Sequence, residues 1–455
     1  MSASTKKRLL WAGGILLALV VLAVGMGVYY AGQAKRTLNQ VTQPGASQRE
    51  VSVYVLADDP AQDLSDAAGY LFGSLAGEEE AVARLEDALG GSPAVEEYPT
   101  AFALADALQQ GACGAVLLEE SYQLSLSDAR GYEWTAEGMR RLGAVFLPQE
   151  EAQPLPVPEG TPERFLLYLS GSDTFGDIST LSRSDVNILA AVDTRAKRLL
   201  LVATPRDFYV SFSQTGGAKD KLTHAGIYGI QASVDALETL YGVEIDYTLR
   251  MNFTGFVEII DALGGVSVYS DREFTVENIR TYRQGYNQLT GIEALAFARE
   301  RMSFPEGDYQ RAKNQMEVIR AVVEKASSPA LVQNLPAVLE AVSGNFETNM
   351  PQAQILALAP QLSGDWDIQT YTASGESAYR ETWSMPGQEL YVILPDGASV
   401  EEASERVRAF LKGEWGGFPE EKKHGKIFVK IIKKGKAKKE ILDRLTFLGL
   451  YCIVE

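Results

Sequence analysis

Two acids and two arginines stand at the ends of three apolar runs. Asp173 follows Phe165-Leu-Leu-Tyr-Leu169 in a polar turn, and Arg183-Ser-Asp185 precedes the run 186–192. A third run, 199–203, ends in Pro205-Arg206-Asp207. The runs read as buried strands, and strand ends in α/β layers are where ligands collect. Two carboxylates beside two guanidiniums make little sense as a core. They suit a shared guest: a hard cation on Asp173 and Asp185, and phosphate oxygens on Arg183 and Arg206. A second set lies further along. Arg299-Glu-Arg301 ends one helical stretch, and Gly307-Asp308 opens another that carries Arg311, Asn314 and Gln315. Arg311 and Gln315 are four apart and share a helix face. Asp308 is placed to cap that helix, whose N-terminus adds partial positive charge near Arg311. Three arginines around a helix start form either a phosphate site or a set of solvated surface charges. Spacing does not show whether the fold joins the two sets.

The elements that must position these residues form an α/β frame over 163–412. Strands are expected at 165–169, 186–192, 199–203, 246–253, 266–269, 366–371 and 389–394. Helices are expected at 227–241, 254–263, 288–300 (after an initial turn), 309–326, 330–342, 353–362 and 400–411. This order predicts a central mixed sheet with helices on both faces. Ahead of it, 51–148 alternates strands (51–56, 114–119) with helices (78–89, 101–110) and predicts a small α/β domain. A linker with four prolines, 149–162, separates the two. Asn252 is a polar contact at a strand end. His224 reads as a hydrogen-bonded structural residue rather than a ligand, with no other histidine near it in sequence.

The chain has 455 residues, 46% of them hydrophobic, so two or three real cores are expected. A net charge of -18 argues against a nucleic-acid partner. Cys113 and Cys452 stand in no metal or redox spacing, and only His224 and His424 are present. A disulfide framework, a zinc site and a histidine-based triad are therefore not expected. Lys6-Lys7-Arg8 precedes 23 uncharged apolar residues, 9–31, long enough to span a bilayer. The basic flank predicts a cytoplasmic residue 1–8 segment, a single span and an external remainder, with 32–50 as linker. The rival is a cleaved signal peptide ending at Gly32-Gln33-Ala34. Between Lys422 and Lys439 lie nine lysines and no acid. The tail 413–455 is thus either a surface for membranes or polyanions or a terminus with no function.

Eight short segments occur in a fixed order: Gly171-Ser-Asp173, Arg183-Ser-Asp185, Thr204-Pro-Arg-Asp207, Asp220-Lys-Leu-Thr-His-Ala225, Asn252-Phe-Thr-Gly-Phe256, Ile260-Asp-Ala-Leu-Gly-Gly265, Arg299-Glu-Arg301, and Gly307-Asp308 with Arg311 and Asn314-Gln315. The series resembles the LytR-CpsA-Psr (LCP) family of bacterial cell-wall ligases, across about 163–412. The string Lys221 to Gly229 and the preceding small domain look most like its capsule-associated branch. The resemblance implies the LCP fold, with a polyprenyl tail in an apolar tunnel that Phe253, Phe256 and Ile260 could line. A helical apolar stripe is otherwise plain core.

It also implies a phosphotransferase. Such an enzyme moves a glycopolymer, capsular polysaccharide or wall teichoic acid, from undecaprenyl pyrophosphate to peptidoglycan. Asp173 and Asp185 match the acids that hold Mg²⁺, with Mn²⁺ as an alternative. Arg183, Arg206, Arg299, Arg301, Arg311 and Gln315 match the phosphate contacts. Asp173 and Asp207 are the two candidates for general base, and Asp207 could equally be an internal partner of Arg206 or a turn cap. The chain departs from many members at Thr174-Phe175, where they carry an arginine, and in the short stretch 274–289. The rival functions are a non-catalytic polyprenyl-diphosphate-binding regulator of wall polymers, a lipid-pyrophosphate hydrolase, and a transcriptional regulator. The last finds no helix-turn-helix pattern here.

Overall fold

A computed structural model describes residues 48–148, 156–176, 178–328 and 346–414. The expected span 9–31, the helix expected at 330–342 and the lysine-rich stretch lie outside them. Among the described residues no helix is long and apolar enough to cross a membrane.

The N-terminal sheet contains β1 (Gln48–Leu56), β2 (Leu71–Leu75), β3 (Ala94–Tyr98), β4 (Ala115–Leu118) and β5 (Met139–Pro148), ordered β3-β2-β4-β1-β5. β2 runs parallel to β3 and β4, and β1 antiparallel to β4 and β5. Parallel pairs need crossovers. Helices α1 (Glu79–Leu89) and α2 (Ala101–Gln109) supply them. α1 ends at Gly90 in the left-handed region, and Thr100 caps α2 by accepting from the Ala103 N–H.

Alternation along β1 and β4 gives each face its own apolar layer. Val51, Val53, Ala115 and Leu117 pack with Leu85 of α1. Tyr54, Val116 and Leu118 pack with Phe102 and Leu104 of α2 and, from far along the chain, Met385 and Leu390. A third helix, α3 (Glu120–Ser127), leaves β4 and ends at Asp128.

The central sheet contains β6 (Arg164–Ser172), β7 (Ser184–Asp193) and β8 (Arg198–Ala203). A short ladder of β9 (Tyr209–Val210) and β10 (Asp220–Lys221) follows, then β11 (Tyr247–Met251). β12 (Val266–Ser270) pairs with β15 (Gly285–Leu289), and β13 (Phe274–Val276) with β14 (Arg280–Tyr282). With β16 (Phe346–Thr348) and β17 (Asp367–Thr372) the central order is β16-β11-β6-β7-β8-β17. β18 (Gly375–Glu381) and β19 (Glu389–Pro395) form a separate hairpin.

The central sheet is mixed: β11 pairs parallel with β6 and β17 with β8, while β7 pairs antiparallel with both β6 and β8. The register brings several strand ends to one side of the sheet. Ser172 lies opposite Ser184, Met251 opposite Gly171, Ile188 opposite Ala203 and Thr372 opposite Ala203. The ends of β6, β8, β11 and β17 and the start of β7 therefore meet there.

The remaining helices used below are α4 (Leu222–Ala225), α5 (Ile230–Tyr241), α6 (Phe253–Ala262), α7 (Gly291–Arg299), α8 (Asp308–Ala326) and α9 (Gly397–Leu411). Ala312 and Met316 of α8 pack on Ile188, Ala190 and Leu201 of one sheet face. α9 packs against β6, β7 and β8. The helix expected at 227–241 begins only at Ile230, because Gly229 has φ 96° and breaks it from the preceding turn.

Candidate active site

The three apolar runs become β6, β7 and β8, so Asp173, Asp185 and Arg206 emerge at the shared edge described above. Arg183 donates from Nε and Nη2 to Asp173 Oδ2 at 2.9 and 2.7 Å. Arg206 Nη1 donates to Asp185 Oδ2 at 2.7 Å, and the Thr223 hydroxyl donates to Asp185 Oδ1 at 2.9 Å. Arg311, at the start of α8, brings Nη1 to 3.9 Å from Asp185 Oδ2. The Arg183, Arg206 and Arg311 side chains are only 6–8% exposed. Burying three guanidiniums is costly unless each finds an anion, which is why acids interleave them.

The acids differ in their protonation. Burial first, and Asp185 second, push the Asp173 carboxyl up to about 6 against the pull of Arg183. Burial also raises Asp185, but Arg206, Arg183 and Arg311 outweigh it and hold that carboxyl well below the ordinary range. Such divergence within one acid pair separates a proton-accepting group from a permanently ionised one. Burial likewise opposes ionisation of Asp207, yet Lys221, 3.1 Å away, and Arg206 hold it below its ordinary value. Asp207 is thus engaged by its own neighbours and is a weak proton acceptor.

The residues fit a divalent cation in part. Asp173 Oδ1 is buried without a hydrogen-bond partner, and the two acids are close enough to raise Asp173. Among the described residues no group of three or more acids, histidines or cysteines gathers as a complete cage. A cation on Asp173 and Asp185 would fill its shell with phosphate oxygens and water, as Mg²⁺ commonly does.

The second arginine set joins the first unevenly. Arg301, 40% exposed, reaches Asp128 Oδ1 with Nη2 at 3.8 Å. Arg299 is exposed at the end of α7 and lies over the Phe253 ring, 4.3 Å from its centroid. Gln315 is half-buried, one turn after Arg311. Asp308 does not cap α8. Gly307, with φ 55°, takes that position, and Asp308, the first helical residue, pairs instead with Arg311 Nη2 at 2.5 Å.

Of the residues read as tunnel-lining, Ile260 is fully buried in a cluster with Leu263, Val266 and Phe297. Phe256 packs partly against that cluster. Phe253 is half-buried and meets the exposed Phe175 edge-on at 5.1 Å.

Four contributors carried no assigned role in the sequence reading. Asp128, at the end of α3 in the N-terminal domain, accepts from Arg183 Nη1 at 3.0 Å and lies 3.6 Å from Arg206 Nη2. Nothing local marks it, since 55 residues separate it from Arg183. Arg250, on β11, donates to Ser172 Oγ at 3.2 Å and to the Thr180 carbonyl at 2.6 Å. It ties the β6 end to the loop that carries Arg183. Lys221 and Thr223 lie within the Asp220-Lys-Leu-Thr-His-Ala225 segment, and only the fold brings them to Asp207 and Asp185.

His224 is structural. Its Nδ1 lies 2.6 Å from Asp220 Oδ1 and 2.8 Å from Ser384 Oγ, and its Nε2 lies 3.3 Å from Ser125 Oγ. Asn252 caps α6 by accepting from the Gly255 N–H. Cys113 is buried and free.

The chain is 32% identical over 251 residues to a polyisoprenyl-teichoic acid–peptidoglycan teichoic acid transferase, TagU, of Bacillus mycoides, covering 54% of this chain and 78% of the relative. It is 35% identical over 191 residues to a protein of the same name from Enterococcus faecalis, covering 41% of this chain and 62% of the relative. Among solved structures, TagV of B. subtilis matches with a TM-score of 0.48 at 26% identity, over 55% of this chain and 98% of TagV. The family model for LytR_cpsA_psr matches residues 153–406. The chain belongs to the LytR-CpsA-Psr family.

Proposed function

We propose that the protein transfers a glycopolymer from a polyprenyl-pyrophosphate carrier to peptidoglycan. An acceptor hydroxyl attacks the phosphorus nearer the polymer and the P–O–P bond breaks. Polyprenyl phosphate leaves, a phosphodiester to the acceptor forms, and the hydroxyl proton is released. The observation that carries this reading is the meeting of buried Arg183, Arg206 and Arg311 with Asp173 and Asp185 at one sheet edge.

Phosphoryl transfer is served by positioning and by neutralising charge on non-bridging oxygens. Planar, permanently charged guanidiniums do both. A cation held by Asp173 and Asp185, Mg²⁺ or Mn²⁺, would supply further neutralisation at the diphosphate. Asp173, whose Oδ1 has no hydrogen-bond partner, is freer than Asp207, which Lys221 and Arg206 engage, to take the acceptor's proton.

The names of the curated relatives favour teichoic acid as cargo, and the likeness to the capsule-associated branch favours capsular polysaccharide. The apolar segment 9–31 supports a single-pass anchor with the catalytic region outside the cell.

The test incubates the full chain in detergent with lipid-linked donor, peptidoglycan fragments and Mg²⁺. Asp185→Asn and Arg206→Lys are each expected to lower transfer by about 10²–10³-fold, the scale of a lost oxyanion contact. Chelation should stop the wild-type reaction. Joined product from both variants at the wild-type rate would refute the site. Free phosphorylated polymer without joined product would identify a hydrolase instead, and binding without turnover a regulator.

A further inference from the structure

Asp128 is the one N-terminal-domain acid that the described structure places among the catalytic arginines, and its position is held from both sides. It ends α3, its N–H bonded to the Leu124 carbonyl at 3.3 Å. One turn earlier on the same face, Ser125 meets His224 Nε2 at 3.3 Å. His224 follows Thr223, the residue that donates to Asp185. The N-terminal domain is itself anchored through the apolar cluster that joins Phe102 to Met385 and Leu390.

The carboxylate therefore lies at a fixed place, 3.0 Å from Arg183 Nη1, 3.6 Å from Arg206 Nη2 and 3.8 Å from Arg301 Nη2. Exposure gives its direction. The Asp128 side chain is 26% exposed, whereas those of Arg183 and Arg206 are 7% and 6%. Asp128 is the most exposed of the acids that meet these two guanidiniums. Asp173 and Asp185 engage the same arginines through other nitrogens.

We infer that Asp128 is an internal stand-in for phosphate, occupying the arginine donors that an incoming diphosphate must take over. The N-terminal domain thereby sets the affinity of the central site for its anionic donor. A carboxylate and a phosphate oxygen compete for the same guanidinium forks. The inference rests on the reading of this arginine cluster as the diphosphate site.

The test titrates the full chain, in detergent with Mg²⁺, with inorganic pyrophosphate and with geranyl pyrophosphate. It compares wild type with Asp128→Asn, Asp128→Ala and Arg206→Lys. Loss of the competing charge is expected to tighten both probes in both Asp128 variants by about tenfold, the scale of one hydrogen bond to a charged group. In the transfer assay Asp128→Asn should lower KM for the lipid-linked donor more than it changes kcat.

Unchanged or weaker binding in Asp128→Asn overturns the inference, since a residue that merely orients the arginines would lose affinity when neutralised. Arg206→Lys separates the two readings. If it weakens binding while Asp128→Asn does nothing, the diphosphate site stands and the stand-in falls. If Arg206→Lys leaves binding untouched, the diphosphate site falls with it.

Discussion

Arg49, at the start of β1, meets Glu78 and Glu119, which follow the parallel strands β2 and β4. Arg183, Arg206 and Arg311 meet Asp173, Asp185 and Asp308 at the corresponding edge of the central sheet. Both sheets collect charge where strands end, yet they settle it differently. In the first, two acids share one arginine that is 34% exposed, and burial pushes the Glu119 carboxyl up to about 7, with Arg49 opposing and Glu78 assisting. That edge can settle its own charge by keeping one proton. In the second, cations and acids interleave and the arginines are nearly inaccessible. Holding that many like charges together leaves the edge dependent on anions, its own or a ligand's.

The two sheets are distinct in charge but continuous in core, and the largest expected effect tests that continuity. Phe102 is buried, edge-on to Tyr132 at 4.9 Å, in the cluster that also holds Met385 and Leu390. Phe102→Ala should cost about 3–5 kcal/mol. Thermal unfolding followed by circular dichroism should show one cooperative transition moved as a whole. Two transitions, with only the first displaced, would mean that the sheets are separate modules.

A smaller effect tests the central edge itself. Gly226 has an ordinary helical φ of -59°, so space rather than torsion explains it. A Cβ there would meet Ser184 N at 2.6 Å and the Ser182 carbonyl at 2.7 Å, both backbone atoms. Gly226→Ala must push the start of β7 and with it Asp185. The expected cost is about 1–3 kcal/mol, with transfer activity falling more than the loss of folded protein explains. Wild-type stability and activity in this variant would show that the edge tolerates displacement.

Much of this frame is legible in the residues. β6, β7 and β8 announce themselves as continuous apolar runs, and α8 as a long periodic stretch. β3 and β5 escape such reading. Ala94–Tyr98 contains no buried residue, and Met139–Pro148 alternates poorly opposite a register shift in β1. The short pairs β13–β14 and β9–β10 fall below any useful periodicity. At the site, Asp173, Asp185 and Arg206 stand out because they abut the runs. Asp128 does not, because its partners are brought to it only by the packing of α3 on the central domain. Asp308 was misplaced for a physical reason: a glycine with positive φ can open a helix without a side-chain cap, freeing the next acid to pair with Arg311.

The last effect concerns the N-terminal edge and appears only at high pH, and its sign follows from the direction of the shift. Glu119 has an ordinary value of 4.5 and is pushed up to about 7 in the folded chain. Between those values the folded state keeps a proton that the unfolded state has lost. Stability from this group is full below about 4.5 and is lost as pH rises through about 7. Glu119→Gln replaces the carboxyl by a neutral amide that still offers Arg49 an acceptor. The variant should therefore match wild type near pH 5 and exceed it by about 1–3 kcal/mol near pH 8, read as denaturant midpoints across that range. A difference that stays flat from pH 5 to 8 would mean that Glu119 is ionised throughout and that Arg49 carries both acids. The N-terminal edge would then settle its charge by pairing, as the central edge does, and the contrast between them would reduce to the number of arginines.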